Sequence, residues 1–297
     1  MVKIDICICT FRREQILDTV QSLFALDVPE QLQPSIVILD NDVTDSARVR
    51  IEKIADGSRF PVSYVHAPSR NISIARNAGL DQSDADWIAY IDDDETARPD
   101  WLSELWRTAQ SDGADIVFGA VSATYQDGTP DWVAELGLHS PLPQVRNGTI
   151  ETGYTGNVLM RWAGTPWADQ RFELALGRKG GEDTEFFYRL GGLGATMTVA
   201  KDAIVDEELP LNRTTFRFIA RRRFSAGHSY AISMLRKRQG RRAGLFGLAL
   251  AKALFSFLIV PVTIFWPSRW RYWLFRGLFH TGVAASSLGI TRADLYG

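Results

Sequence analysis

The chain has little of what marks several common protein classes. Among its 297 residues are only two cysteines, Cys7 and Cys9, whose spacing in an apolar run cannot form an ordinary disulfide. A secreted, disulfide-stabilised protein is therefore not expected. No GxGxxG segment follows a predicted strand and no P-loop lysine motif occurs, which argues against a dinucleotide-dependent oxidoreductase and an ordinary kinase or ATPase. The N-terminus lacks the regions of a secretory signal peptide, so a cytoplasmic location is expected.

Acidic and basic residues are divided unevenly along the chain. The net charge is only −2, yet residues 1–210 carry 18 Lys and Arg against 34 Asp and Glu. Residues 211–297 carry 15 Lys and Arg against a single acidic residue. Such an asymmetry indicates two regions with different surroundings. A basic C-terminal region suits nucleic acid, an anionic membrane surface or an anionic substrate.

The first 120 residues alternate between short apolar runs and helical patterns. The runs predict strands at residues 4–9, 36–39, 62–65, 87–91 and 116–121. Apolar residues at helical spacing predict helices within 13–26, around 47–55 and from Pro99 onward. This alternation predicts an α/β fold in which a single Rossmann-like, mostly parallel sheet is flanked by helices. In such sheets ligands bind beyond the carboxyl ends of the strands.

The pattern loosens from residue 124 to residue 176, where Gly, Pro and Trp are frequent. We expect irregular structure over the sheet here, where an acceptor could be held. Residues 180–185 then open a short helix that ends at Gly191. Its inward side chains are predicted to be Phe186, Phe187 and Leu190.

An acidic turn follows the fourth predicted strand. Its residues are Asp92, Asp93, Asp94 and Glu95, and like charges this close repel one another. A divalent cation would relieve the repulsion, because carboxylate and phosphate oxygens form the shell that Mg²⁺ or Mn²⁺ prefers. That cation would neutralise a diphosphate leaving group. The alternative is a solvated acidic loop.

A second acidic pair, Glu182-Asp183, follows two glycines at the start of the short helix. An inverting displacement at a sugar carbon needs a base on the face opposite the leaving group. One carboxylate that is near the metal cluster but separate from it meets this need. The alternative is an acid that caps the helix N-terminus.

Six short segments together resemble the family-2 glycosyltransferases with the GT-A fold. The similarity is greatest to the bacterial exopolysaccharide subgroup that includes succinoglycan glucosyltransferases. In chain order the segments are CTFRR, VILDND, RNISIARNAGL, YIDDDE, TGNVLM and GGEDTEFFYRL, within residues 3–230. The resemblance implies a metal-dependent, inverting transferase that takes its sugar from a nucleotide-sugar, most simply a UDP-hexose. The processive QxxRW motif is absent from the sequence, which favours addition of a single sugar.

The resemblance also implies roles for residues on the nucleoside side. Thr10, Phe11 and Arg12 would line the nucleoside pocket. Asp40 would hydrogen-bond the base, and Arg76 would contact the donor near the base or the diphosphate. The chain departs from many relatives at position 41, where Asn replaces a second Asp, so base and sugar preference could differ.

For the acidic turn, the resemblance implies that Asp92 lies near the ribose and, with Asp94, at the metal. Asp93, between them in sequence, would also bind the donor.

The remaining implied roles concern the transferred sugar and the acceptor. Gly156 and Asn157 would form the floor of the sugar site. Asp183 would be the catalytic base, with Glu182 beside it on the acceptor side.

The basic C-terminal region begins with Arg213, Arg217 and Arg221, which are spaced by four. They would form one helical stripe. This stripe would lie over the donor diphosphate, since guanidinium pairs well with phosphate, or would be a solvated basic face. A histidine such as His228 could complete the metal shell, with a purely structural role as its alternative.

A basic cluster at residues 236–242 precedes an apolar run at 245–266 that is long enough to span a bilayer. Interleaved Trp and Arg follow, as in an interfacial belt. Because arginines flank both sides, a helix pair that lies on the membrane or re-enters it fits better than a single crossing. The alternative is a buried helical hairpin of a soluble protein. Nucleic acid is not expected, because the acidic half would repel a phosphate backbone.

Two parts are therefore predicted: a GT-A catalytic domain over residues 1–230 and a helical, membrane-associating region over residues 231–297. The predicted reaction passes one sugar from the nucleotide-sugar to a lipid-linked oligosaccharide. It would take place at the cytoplasmic face of the bacterial inner membrane, during exopolysaccharide biosynthesis. One alternative is a non-catalytic partner with this fold in a polysaccharide synthase complex. The other is a nucleotidyltransferase, which would release pyrophosphate.

Overall fold

A computed structural model describes residues 1–140, 142–146, 148–237 and 242–290 of the chain. Eight of the strands in these ranges form one sheet, and two short ones form a separate hairpin. In chain order the strands are β1 (Val2–Thr10), β2 (Leu32–Asp40), β3 (Val62–His66), β4 (Trp87–Asp92), β5 (Glu95–Ala97), β6 (Ile116–Tyr125), β7 (Val145–Arg146), β8 (Thr149–Ile150), β9 (Asn157–Arg161) and β10 (Met197–Leu209). The five predicted strands are confirmed, and each is longer than predicted.

The large sheet has the spatial order β3-β2-β1-β4-β9-β6-β10-β5. Neighbours in the β3-β2-β1-β4 half are parallel, as are β6 and β10. The short strand β5 and the inserted strand β9 run antiparallel to their neighbours. The predicted mostly parallel sheet flanked by helices is therefore confirmed, with two antiparallel strands added.

Strand order reverses between β1 and β4. The chain passes from β1 to β2 and β3 on one side and then returns to β4 on the other side of β1. In register, Thr10 lies beside Asp40, and Cys9 lies beside Asp92. Such a switch point leaves a crevice beyond the carboxyl ends of the strands. The residues that follow β1, β2 and β4 therefore meet at one edge of the sheet.

The helices cover both faces of the sheet and continue into a C-terminal bundle. They are α1 (Ile16–Phe24), α2 (Arg48–Ala55), α3 (Ile72–Gln82), α4 (Trp101–Asp112), α5 (Asp131–Leu136), α6 (Glu182–Gly192), α7 (Phe216–Lys237), α8 (Arg242–Val262) and α9 (Pro267–Ser287), and a 3₁₀ turn spans Leu211–Arg213. The predicted helices are confirmed, although Pro99 lies just before α4. Helix α3 was not predicted, because it buries Ser73 and Arg76 and so lacks a clean apolar stripe. Its N-terminus is capped by the side chain of Asn71, which accepts a hydrogen bond from the backbone N of Ser73.

Two apolar layers lie on opposite faces of the sheet, as the alternation of strand side chains requires. Ile4, Ile6 and Ile8 of β1 face α1 and α4, and Cys7 faces the side of α3 and α6. On that second side are the predicted inward side chains of α6: Phe186, Phe187 and Leu190. The interior positions of these strands are fully buried because helices cover both faces.

The expectation of irregular structure from residue 124 to residue 176 was partly wrong. Strand β9 lies inside the sheet, antiparallel between β4 and β6. Its three apolar residues, Val158, Leu159 and Met160, are all fully buried. A run this short, within Gly- and Trp-rich sequence, carries no periodicity that would separate a central strand from a loop.

The C-terminal helices α7, α8 and α9 pack against one another. A Cβ atom at Gly227 would collide with the carbonyl oxygen of Phe279, so α7 and α9 approach closely at this point. Helix α7 runs through residue 230, and the predicted domain boundary there stays a prediction. Most of the basic cluster at 236–242 and the last seven residues lie outside the described residues.

Helix α8 buries small side chains and exposes large ones. Ala249, Ala253 and Ser256 are buried, whereas Leu258 is 70% exposed and Phe265, in the turn after α8, is 86% exposed. It is the one helix among the described residues that is long and apolar enough to cross a membrane. An exposed apolar surface of this kind is unusual for a soluble monomer.

Candidate active site

The nucleoside side of the site is built at the ends of β1 and β2. Asp40 is fully buried, and its carboxylate accepts hydrogen bonds from the backbone N of Asp42 (2.9 Å) and from the Tyr64 hydroxyl. The Arg48 guanidinium lies 4.5 Å from the Tyr64 ring centroid. Each carboxylate oxygen of Asp40 keeps a second lone pair, so the predicted contact to a base remains chemically open.

The segment after β1 places exposed groups beside this carboxylate. Arg12 has a φ of 57°, and its Nε donates to Asp42 Oδ2 at 2.8 Å. This ion pair, with further hydrogen bonds from neighbouring groups, holds the pKa of Asp42 well below its usual range. The Arg12 guanidinium lies 5.3 Å from the Phe11 ring centroid. The structure thus brings Thr10, Phe11 and Arg12 to the same edge as Asp40, while their contacts to a nucleoside stay a prediction.

Position 41, where many relatives have Asp, has a structural role. The Asn41 Oδ1 atom accepts hydrogen bonds from the Ser69 hydroxyl (2.9 Å) and from the backbone N of Asn71 (3.1 Å). These bonds tie the end of β2 to the N-terminus of α3, which carries Arg76.

The acidic turn after β4 is paired with two arginines. Arg13 donates to Asp93 Oδ1 (2.9 Å) and also pairs with Asp94. Arg213 bridges Asp94 Oδ2 and Glu207 Oε1, both at 3.0 Å. Two guanidinium groups thus hold three carboxylates together.

The carboxylates of this cluster outnumber the two arginines that contact them, and burial makes their charged form unfavourable. Burial raises the pKa of Asp93 to about 6 and the pKa of Glu207 to about 7. It also raises the pKa of Asp92 and that of Glu95, whose Oε2 accepts a hydrogen bond from the backbone N of Asp92 at 3.0 Å. A bound cation or cationic ligand would stabilise these carboxylates in their charged form.

The carboxylate cluster fits a hard divalent cation by its chemistry, since oxygen ligands are what Mg²⁺ and Mn²⁺ prefer. Within the described part of the chain, however, no three His, Cys, Asp or Glu side chains form a cation site by themselves. A cation held through Asp94 and Asp92 would need further oxygens, such as those of a diphosphate. His228 Nε2 hydrogen-bonds the carbonyl of Ile290 (2.7 Å) within the C-terminal bundle, and a place for this histidine in the metal shell stays a prediction.

Glu182 and Asp183 form the first turn of α6, on the α3 side of the sheet. Arg76 Nη1 lies 2.6 Å from Glu182 Oε1, and both side chains are buried. The Tyr90 hydroxyl donates to the carbonyl of Arg76 at 3.1 Å. Burial alone would lower the pKa of Arg76, but the carboxylates around it raise that pKa. Arg76 is thus anchored on Glu182, and its predicted contact with the donor stays a prediction.

Asp183 has the electrostatic character of a base that works near neutral pH. Burial raises the pKa of its carboxyl to about 7, Glu182 acts in the same direction, and Arg76 opposes them. Its Oδ1 accepts a hydrogen bond from the backbone N of Thr184 at 2.6 Å. A base is most effective when its pKa lies close to the working pH.

The two residues predicted for the floor of the sugar site differ. A Cβ atom at Gly156 would lie 3.1 Å from Asp92 Oδ2 and 3.2 Å from Glu95 Oε1, so glycine leaves room beside the acidic turn. The expectation for the Asn157 side chain needs correction. Its Oδ1 accepts from Trp101 Nε1 (2.8 Å), and its Nδ2 donates to the carbonyls of Ala120 and Ala203. These bonds lock β9 into the sheet and occupy both donor hydrogens of the amide.

The predicted stripe of Arg213, Arg217 and Arg221 does not form. Arg213 belongs to the 3₁₀ turn that ends before α7 begins at Phe216, so the spacing of four is not helical throughout. Arg213 does reach the acidic turn, as described above. Arg217 and Arg221 are exposed on α7, and neither forms an ion pair within the described ranges.

Several residues of the site were missed by sequence reasoning. Arg13 adjoins the predicted Arg12, and Glu207 lies in the acidic run at 206–208 at the end of β10. The Arg221-Arg222-Arg223 triplet offered a signal, but only the helix shows that Arg222 is within electrostatic range of Glu207.

Comparison with known proteins finds relatives that cover most of the chain. A family model described as "Glycosyl transferase family 2" matches residues 5–163. The succinoglycan biosynthesis protein ExoM of Rhizobium meliloti (strain 1021) is 39% identical over 296 residues, which cover 99% of this chain and 96% of that protein. A glucosyl-dolichyl phosphate glucuronosyltransferase of Haloferax volcanii is 27% identical over 136 residues, 45% of this chain and 40% of that protein.

Solved structures with the same fold include S. aureus TarS. Its 1-349 form in complex with UDP-GlcNAc superposes with a TM-score of 0.56 at 16% identity, over 97% of this chain and 92% of that one. The same form in complex with UDP gives a TM-score of 0.54. In the longer TarS structure, the match spans 55% of that chain. At this level of identity the likeness shows the GT-A fold alone.

Proposed function

The chain belongs to glycosyl transferase family 2, and from that premise we propose that it transfers a single hexose from a UDP-sugar, with inversion, using Mn²⁺ or Mg²⁺. The observation that carries this proposal is the placement of two carboxylate groups at one edge of the sheet. The acidic turn with Asp94 follows β4, and Asp183, at the start of α6, lies within electrostatic range of Asp92 in that turn. The first suits a leaving diphosphate with its cation, and the second suits the acceptor.

Asp183 is proposed to take the proton of the acceptor hydroxyl as that oxygen attacks the anomeric carbon. The new C–O bond forms while the bond to the UDP oxygen breaks, and the electron pair of that bond leaves with UDP. A divalent cation held by Asp94 and Asp92 would add positive charge at the departing diphosphate. Arg13 and Arg213 already lie against Asp94 and would stabilise the same developing charge.

Support for the donor and the acceptor comes from the relatives. TarS was solved in complex with UDP and with UDP-GlcNAc, which favours a UDP-linked donor here. The name of the ExoM relative places that protein in succinoglycan biosynthesis, which favours a role in exopolysaccharide assembly. The name of the Haloferax volcanii relative includes a dolichyl phosphate, which favours a lipid-linked saccharide as acceptor.

We also propose that the chain acts at the cytoplasmic face of the bacterial inner membrane. The exposed apolar side chains of α8 and of the following turn favour contact with lipid over a buried hairpin of a soluble protein. Arg269 and Arg276 flank tryptophans on α9, with their guanidinium carbons 6.0 Å and 5.6 Å from the ring centroids of Trp266 and Trp273. Such cation–aromatic pairs are typical of the membrane–water interface.

A screen of nucleotide-sugars for binding and turnover, with and without Mn²⁺, tests the proposal. We expect a UDP-hexose to bind only with the cation and to release UDP in the presence of acceptor. Release of pyrophosphate would instead identify a nucleotidyltransferase. Failure to bind any nucleotide would favour a non-catalytic partner in a synthase complex.

A further inference from the structure

Arg222 and Arg223 on α7, here called the arginine pair, form no ion pair with an acidic side chain in the described part of the chain. Arg223 is partly buried, and burial lowers the pKa of its guanidinium. The adjacent charge of Arg222 acts in the same direction. Arg222 is exposed, so the repulsion acts mainly on the partly buried Arg223, and an anion bound between the two guanidinium groups would relieve it.

On one side, the arginine pair faces the active site. Arg222 is within electrostatic range of Glu207, which shares Arg213 with Asp94. Tyr154 lies in the segment between β8 and β9. The charges of both arginines lower the pKa of its hydroxyl, and the charge of Asp183, the proposed base, raises it. An anion bound by the pair would therefore lie close to the acceptor side of the site.

On the other side, the arginine pair faces the C-terminal bundle. Arg223 is within electrostatic range of Tyr272 on α9. Tyr272 is exposed, accepts a hydrogen bond from Arg276 (3.0 Å), and packs edge-on against Trp273 at 5.5 Å between ring centroids. These are the aromatic and basic side chains proposed to lie at the membrane surface.

The backbone holds the arginine pair in this intermediate position. A Cβ at Gly227, one turn after Arg223, would collide with the carbonyl of Phe279, and one at Gly282 would collide with the carbonyl of Phe224. Both close contacts lie just C-terminal to the pair and fix this part of α7 against α9. The pair therefore lies between the proposed catalytic base and the proposed membrane surface.

We propose that the arginine pair binds the phosphate or diphosphate ester of the lipid-linked acceptor and so places its sugar hydroxyl near Asp183. This inference rests on the proposed function. Guanidinium groups match phosphate oxygens in charge and in hydrogen-bond geometry. The donor diphosphate has its own arginines, Arg13 and Arg213, on the acidic turn. An ester that joins a saccharide to a membrane lipid would lie at the position of the pair, between the proposed base and the proposed membrane surface.

The test uses the full-length chain and phosphatidylcholine vesicles that contain either a polyprenyl diphosphate or the corresponding neutral polyprenol. Wild type should prefer the diphosphate vesicles. Arg222→Gln/Arg223→Gln should lose this preference by about tenfold or more, because two charge-assisted contacts disappear. Arg222→Lys/Arg223→Lys should recover part of it, which separates loss of binding from loss of fold. The control is Arg107→Gln/Arg161→Gln, which removes the same charge at two exposed arginines of the catalytic domain and should behave as wild type.

Three results would overturn the proposal. An unchanged preference in the Gln variant would show that the pair binds no such ester. An equal loss of binding to phosphatidylglycerol vesicles would show a general contact with anionic headgroups. Weaker binding of UDP with Mn²⁺ by the Gln variant would assign the pair to the donor. Binding of UDP with Mn²⁺ by wild type, measured in the same preparation, reports separately on the proposed function.

Discussion

The edge of the sheet and the C-terminal helical bundle differ in the groups that they leave without enough partners: carboxylates at the sheet edge and large apolar side chains on the bundle. At the sheet edge, buried carboxylates outnumber the two arginines that contact them, and several carboxyl pKa values are raised as a result. In the bundle, the large apolar side chains of α8 face outward and basic residues accompany the aromatic ones. The first surface suits the proposed cation and nucleotide, and the second suits the proposed contact with lipid. A net charge of −2 therefore averages two opposite surfaces.

The boundary in charge is not a boundary in structure. Arg213, at the start of the basic region, pairs with Asp94 and Glu207 of the acidic region. Helix α7 then continues from the catalytic side into the bundle. The basic region therefore has two parts: Arg213 pairs with the acidic residues of the candidate active site, and the later residues form the proposed membrane contact.

The largest expected effect concerns the base on the acidic side. Asp183→Asn should lower the transfer rate by about a thousandfold, because general-base catalysis contributes on the order of 10²–10⁴. Binding of the UDP-sugar should be nearly unchanged, since the proposed role of Asp183 begins with the acceptor. In wild type, kcat/KM should rise with pH through about 7, where the Asp183 carboxyl becomes ionised. Initial rates of transfer between about pH 5 and 9 measure both effects. Full transfer by the Asn variant would remove the base assignment.

A smaller effect is expected from the buried ion pair of Arg76 and Glu182. Arg76→Gln should lower the free energy of unfolding by about 3–5 kcal/mol, because it leaves Glu182 charged and unpaired in the interior. Chemical denaturation measures the change. If Arg76 also contacts the donor, as the family resemblance implies, the affinity for UDP should fall as well. Glu182→Gln serves as the comparison, because it breaks the same pair and leaves Arg76 in place.

Asp94→Asn tests the cation at the sheet edge. The variant keeps the shape of the side chain but loses its charge, so UDP affinity in Mn²⁺ should fall by about a hundredfold. Calorimetric titration of UDP with and without Mn²⁺ measures this. Wild type that binds UDP equally well without any divalent cation would refute the role given to Asp94.

On the basic side, the exposed apolar residues of α8 should govern membrane binding. Replacing Leu254 and Leu258 by Gln should weaken binding to anionic vesicles by about tenfold or more, because each buried Leu contributes about 1.5–3 kcal/mol. Both side chains are exposed, so the fold should be retained. Vesicle flotation measures the effect. The buried face of the same helix, which includes Ala249, is left unchanged in this variant. Equal flotation of the variant and wild type would point instead to a soluble protein.

The free energy of unfolding should also depend on pH. Asp93, Asp183 and Glu207 have raised pKa values of about 6, 7 and 7 in the folded chain, so the folded state binds more protons than the unfolded state. The free energy of unfolding should therefore fall as pH rises from about 4 to about 7, by on the order of a few kcal/mol. Mn²⁺ with UDP should reduce this loss, because the carboxylates would then be compensated. Stability that rises over this range would contradict the charge imbalance.

The sequence was sufficient where local pattern and position agree. Alternating apolar runs predicted β1 to β4, and their carboxyl ends carry the acidic turn and Asp40, as expected for a parallel sheet. The pattern failed at β9, whose short buried run lies within irregular sequence and owes its place to long-range pairing with β4 and β6. It failed again at Asn157, because bonds to Trp101 and to two backbone carbonyls depend on tertiary structure. The arginine contacts of the acidic turn were missed for the same reason, since Arg213 is distant in sequence from Asp94.

Backbone hydrogen exchange with mass spectrometry tests the contrast between the two regions most directly. UDP with Mn²⁺ should protect the segments after β1, β2 and β4, around residues 10–13, 40–43 and 92–95, and leave α8 unchanged. Anionic vesicles should protect residues 248–266 and leave the sheet edge unchanged. Protection of α8 by the nucleotide, of the sheet edge by vesicles, or of neither segment by either ligand would contradict the account.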